Sequence, residues 1–308
     1  MGDFMKEKQT ANGTALGAEL RRYRIKATVA RLIAYGAAAV ALLLFLRGQI
    51  LAAVICLLLA IVGACRLSTH TEALKKSLSD NVVAGVLKEA FGNVEYNPFG
   101  HLPDETVSGA GMVFPFSFER IRGSDHVKAE YRGLHVELSD IELYHRTESY
   151  NSERDTWEES EEKVFKGQWL VCDFGRALSG EVHLSENTKP LRKMHRDDRI
   201  EMENPAFNDR FFVTAADAQE AYYVLTPHMM EYILAAAGKS GGEVYMSFLR
   251  GGRLHVAVNT GKDFFELGAG SADVEALRRK FSDELHWFTD IIDTLRLDDH
   301  LYSKEVRE

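Results

Sequence analysis

Hydrophobic positions change their period along this chain. From Leu32 to Leu46 and from Ile50 to Cys65 the residues are apolar all round, with only Arg47-Gly48-Gln49 between the two runs. Neither run has a polar face to lay on water, so the pattern predicts a helical hairpin in lipid. Each run is shorter than the ~20 residues that span ~30 Å of hydrocarbon. The first reaches that length from Ala27 if Arg31 turns its guanidinium to the headgroups, and the second continues through Arg66 and Leu67 in the same way. Small residues such as Gly36, Ala38, Ala60 and Gly63 let the two helices approach closely. A largely polar stretch precedes the hairpin, which argues against a cleaved leader.

Beyond the hairpin, Val82, Val83, Val86, Leu87, Ala90 and Phe91 recur at helical spacing, so Ser68 to Gly92 reads as a connecting helix with Gly92 as its C-cap. Asn93 to Gly111 reads as loop. From Met112 the texture becomes β-type. Val113 to Ile121 is rich in aromatics, and Phe114, Phe116 and Phe118 share parity, a core face by this reading. Val127 to Tyr131 and Leu134 to Tyr144 flank the turn Arg132-Gly133, and a slip in alternation at Ser139-Asp140 reads as a bulge. Glu148 to Glu162, with seven carboxylates against Arg154, reads as a solvated acidic loop. Further strands are expected at Val164–Phe174, Glu181–Leu184 and Phe211–Thr214, and a hairpin at Val244–Leu249 and Leu254–Val258 across Arg250-Gly251-Gly252-Arg253. Thr226-Pro227 opens a helix to Ala237, and Ser271 caps a closing helix that runs to about Leu297.

These elements predict an α+β fold: an N-terminal two-helix transmembrane hairpin followed by a mostly antiparallel β-sheet domain with packed helices on one face. The expected organisation is a flexible basic tail over 1–26, the hairpin over 27–67, the connecting helix over 68–92 and an α+β cytoplasmic domain over 93–300.

Charge sets the orientation. Lys6, Lys8, Arg21, Arg22, Arg24, Lys26 and Arg31 precede the first apolar run, Arg66, Lys75 and Lys76 follow the second, and the turn carries Arg47 alone. The positive-inside bias therefore puts both ends on the cytoplasmic side of the membrane. The whole chain carries −9, but residues 1–65 hold 8 basic and 3 acidic residues, leaving 29 and 43 for the rest. An acidic body excludes general nucleic-acid binding, which needs a basic face. Cys56, Cys65 and Cys172 have no paired spacing and form neither a disulfide framework nor a zinc site.

No catalytic or cofactor motif stands out, so no catalytic, cofactor or metal residue is assigned. Gly268-Ala269-Gly270-Ser271 lacks the lysine of a nucleotide-binding loop and reads as a turn with an N-cap. The histidines, among them His101, His126, His135, His145 and His183, never fall into a metal-ligand pattern. Asp125, Asp140 and Glu142 have no nucleophile at a defined spacing and read as surface carboxylates. The densest basic cluster, Lys189, Arg192, Lys193, Arg196 and Arg199, is the candidate contact for lipid headgroups or an acidic partner.

The segments Ile121 to Leu143, Val164 to Phe174, Glu203 to Phe207 and Ala221 to Pro227 resemble the bacterial domain of unknown function 3137 family, with Ala129 where that pattern carries Gly. The resemblance implies a bacterial membrane protein with two helices ahead of its body, and assigns no catalytic residue. The reading that follows is a membrane-anchored interaction or scaffolding module, with membrane lipid and a protein partner or further copies of itself as partners. The alternative is a membrane-tethered enzyme with a dispersed active site.

Overall fold

The computed structural model describes residues 82–151, 156–173, 178–194, 198–265 and 274–294, and between 25 and 63 the positions 25, 28–29, 32–33, 35–43, 46, 49, 54, 56, 58 and 61–63. The chain divides into two units, residues 1–86 with 267–280 and residues 87–266 with 281–308.

In the first unit every described position from 25 to 63 is helical except Gln49. Large apolar side chains there are exposed, among them Leu32, Ile33, Leu42, Leu43 and Leu46. Among the described residues no helix is long and apolar enough to cross a membrane. The expected tail, much of the hairpin with Arg47 and Gly48 of its turn, and the connecting helix up to residue 81 lie outside the described residues.

The second unit is built on one eight-stranded sheet, ordered β1-β2-β3-β4-β8-β7-β5-β6. The strands are β1 Gly92–Asn97, β2 Arg120–Tyr131, β3 Leu134–Asn151, β4 Thr156–Asp173, β5 Val182–Glu186, β6 Phe211–Ala215, β7 Glu243–Leu249 and β8 Arg253–Asn259. Each neighbouring pair is antiparallel, as the short connections predict. Arg132 and Gly133 both take positive φ, 51° and 83°, which closes the β2–β3 hairpin in the twist that flanking strands favour.

Both faces of the sheet are covered. On one, Ile141, Leu143, Phe165, Trp169, Tyr245 and Ala257 pack with Phe114 and with Leu102 and Val107 from the short helix Asp104–Ser108 and its lead-in. On the other, Val136, Leu138, Leu170, Val256 and Met246 are buried. That is the side of Asp140, which holds the backbone of Phe264, and Phe264 packs at a tilt against Phe288 of the closing helix Val274–Thr294. Trp287 of the same helix donates to the Ala236 carbonyl of the helix Pro227–Lys239. Helices therefore do not all sit on one face, as expected; the short helix covers the opposite one.

Two-sided burial explains why alternation misleads at Ser139-Asp140. The β3–β4 register runs unbroken through both residues, and both are buried, one on each face. The bulge lies in β2, between Ser124 and Val127, where Asp125 takes φ 57°. Val113 to Glu119 is not a strand, because Pro115 has no N–H to give a ladder. Its aromatics nonetheless reach the core: Phe114 lies 5.0 Å from Phe116 and 6.0 Å from Phe118 between ring centroids. Gly92 opens β1 rather than capping a helix. Pattern reading also misses the short helices Pro205–Arg210 and Ala218–Val224, although Asn204 and Asp217 cap them by accepting from Phe207 and Gln219. The helix at Pro227 forms as expected, with Thr226 accepting from Met229.

Candidate functional site

The strands β3 and β4 each run 18 residues, longer than their neighbours can follow. Pairing with β2 stops at Tyr144, and pairing with β8 covers only Gln168 to Asp173. From His145 to Asn151 and from Thr156 to Lys163 the two strands pair, among the described residues, only with each other, so the described part of the segment read as a solvated acidic loop is a two-stranded ribbon. The residues that misled are its carboxylates, which a ribbon wet on both faces accommodates as well as a loop does.

One face of the ribbon carries the rungs Tyr144–Lys163, Arg146–Glu161, Glu148–Glu159 and Tyr150–Trp157. At its root Lys163 bonds Glu142 at 2.5 Å, and Arg122 lies over the Tyr144 ring at 4.6 Å. Arg120 and Arg122 hold the two oxygens of Glu161 at 2.7 and 2.9 Å, and Arg146 pairs with Glu159. These bonds keep the carboxyls of Glu142 and Glu161 below the usual carboxylate range, although burial pulls Glu142 the other way. On the last described rung of this face, Tyr150 and Trp157 pack with centroids 5.3 Å apart while remaining 51% and 68% exposed.

A second feature is an open cleft of about 880 Å³ beside β5 and β6, lined by Glu181, His183, Asp198, Arg199, Thr214 and Arg250 among others. Register places Thr214, His183, Ser247 and His255 side by side across four strands. His183 Nδ1 lies 2.9 Å from Ser247 Oγ, and its Nε2 lies 3.7 Å from Glu181. Burial lowers the His183 pKa from 6.5, so the ring is neutral at pH 7. The order Ser–His–Glu matches a nucleophilic triad, but Ser247 is fully buried and cannot meet a substrate. The serine orients the histidine and is itself shut off from the cleft.

The sequence-nominated residues are scattered by the fold. Lys189 and Lys193 are exposed one turn apart on the helix Lys189–Met194, which also contains Arg192. Arg199 instead turns to the body and donates to the Asn208 carbonyl at 2.8 Å. Arg196 and the Gly268 to Ser271 turn lie outside the described residues. Asp125 and Asp140, read as surface carboxylates, are both 2% exposed. They are buried because β2 and β3 lie inside the sheet, and Tyr96, Ser124 and the Phe264 amide satisfy them. Glu142 is the root of the ribbon ladder. His145 contacts Glu119 at 3.2 Å and His135 contacts Glu137 at 3.4 Å, at separate places. Among the described residues no group of three or more His, Cys, Asp and Glu is placed to hold a metal ion. The exposed Tyr150–Trp157 pair has no signature in the hydrophobic pattern: one position is even and the other odd, and only the strand register sets them on one face.

No curated protein matches the chain. A crystal structure of the mycobacterial trehalose monomycolate transport factor A, TtfA, is similar at 10% identity with a TM-score of 0.37, over 70% of this chain and 93% of that one. Residues 163–297 match the model of a family described as a protein of unknown function (DUF3137). Three of the four segments that carried the resemblance fall within or at the edge of that match, and Ile121 to Leu143 precedes it. The similarity to the DUF3137 family therefore covers residues 163–297, under half of the chain.

Proposed function

We propose that the chain is a membrane-anchored interaction module that holds its α+β body in the bacterial cytoplasm and docks a protein partner on the β3–β4 ribbon. One observation carries the docking: Tyr150 and Trp157 stay exposed on a ribbon that no other described strand pairs. Aromatic side chains held out on a projecting element cost solvation and contribute nothing to the core, whereas they are the residues that interfaces favour. Support for the anchor comes from the apolar runs, from the flanking cations and from the exposed Leu32, Ile33, Leu42 and Leu43 on helical positions. Lys189 and Lys193 are candidates for a contact with anionic headgroups or an acidic partner. The enzyme alternative has its best geometry at the His183 cleft, where the serine that His183 contacts, Ser247, is fully buried.

The test uses the full chain in its membrane. It should resist carbonate extraction, dissolve in detergent and survive protease added to intact cells. A photo-crosslinker at position 157 should capture a discrete partner that the same group at Glu231 does not. Complete release without detergent, or no crosslink at 157, overturns the proposal.

A further inference from the structure

We propose that the occupant of the ribbon is a lysine- or arginine-bearing segment of the partner protein, its cation seated between Glu148 and Glu159 and against the Trp157 ring. The proposal rests on the docking reading above and names the chemistry of what docks. Every rung of the face nearer the sheet is balanced: Lys163 faces Glu142, Arg120 and Arg122 face Glu161, and Arg146 is drawn to Glu159. The next rung opposes two carboxylates, Glu148 and Glu159. Like charges directly opposite each other on a sheet are unfavourable. Arg146 bonds Glu159 and feels the Glu148 charge only through space, and no described residue forms an ion pair with the exposed Glu148 carboxylate. Immediately beyond it lies Trp157, 68% exposed, the aromatic ring that holds a cation best. One incoming cation would relieve the repulsion, complete the alternation of charge along the face and stack on the indole. An anionic partner meets the exposed carboxylates of Glu148 and Glu162 and is repelled.

The experiment places the full chain in nanodiscs of zwitterionic lipid and titrates a short peptide alternating arginine with serine. The readout is the emission of Trp157, taken as the difference between the wild-type chain and Trp157→Phe. The expected result is a saturable change that weakens as salt rises. Glu148→Gln should weaken binding roughly five- to tenfold, and Glu231→Gln should leave it unchanged. Equal binding by Glu148→Gln, equal binding of the glutamate counterpart of the peptide, or the same emission change on adding vesicles alone overturns the proposal. So does self-association of the chain that Trp157→Ala abolishes and the peptide does not compete. A crosslink at 157 in membranes without any response to the arginine peptide leaves the docking reading standing and removes the cationic occupant; no crosslink removes both.

Discussion

The backbone amide of Phe264 donates to both carboxylate oxygens of Asp140, at 2.8 and 2.7 Å, across 124 residues of chain. This bond ties the segment after β8 to the middle of β3 and seats Phe264 against Phe288. It also leaves a carboxyl in the core. Burial holds Asp140 well above its ordinary 3.8, against the amide bond, which lowers it, while Asp125 and Asp263 push upward.

A raised acid binds its proton more tightly folded than unfolded, so its contribution to stability is complete below the unfolded value and is lost as pH rises toward the folded one. Asp140→Asn removes that dependence. In urea melts at a series of pH values, the variant should match the wild-type chain near pH 3.8 and gain on it steadily above that. A difference that does not change with pH would contradict the assignment.

His255 titrates with the opposite sign. Burial, with Arg253, lowers its pKa from 6.5 to about 4, and Trp169 donates its indole N–H to His255 Nδ1, which must stay unprotonated to accept it. Stability is complete above 6.5 and is lost as pH falls toward 4, by about 3 kcal/mol at most. His255→Gln should flatten this acid limb in the same melts.

Two glycines separate crowding from freedom. A Cβ on Gly167 would meet the Val258 carbonyl oxygen at 1.8 Å, so Gly167→Ala should cost about 3 kcal/mol. Gly238 lies exposed in the helix Pro227–Lys239 with open space around it, and Gly238→Ala should stabilise by about 0.5–1 kcal/mol. Thermal unfolding of the two variants should move the midpoint in opposite directions.

Trp157 and Trp169 sit on the same strand and contribute differently. Trp169 is fully buried against Phe114 and Phe165, so Trp169→Ala should cost about 3–5 kcal/mol. Trp157→Ala should change stability by less than about 0.5 kcal/mol while weakening retention of the chain on an immobilised arginine–serine peptide. A large destabilisation by Trp157→Ala would show that the ribbon end is core, not surface.

Local chemistry made much of this protein legible before any fold was known. Arg132-Gly133 and Arg250 to Arg253 declare their hairpins, Thr226-Pro227 declares its helix start, and short connections declare an antiparallel sheet, because each depends on backbone freedom within a few residues. Partnership across the chain was decided only in three dimensions. Whether Asp140 is wet or buried depends on Phe264, 124 residues away, and whether Glu148 to Glu162 is loop or ribbon depends on where β2 and β8 stop. The ladder that leaves Glu148 facing Glu159 follows from the strand register, a long-range quantity that no run of adjacent residues encodes.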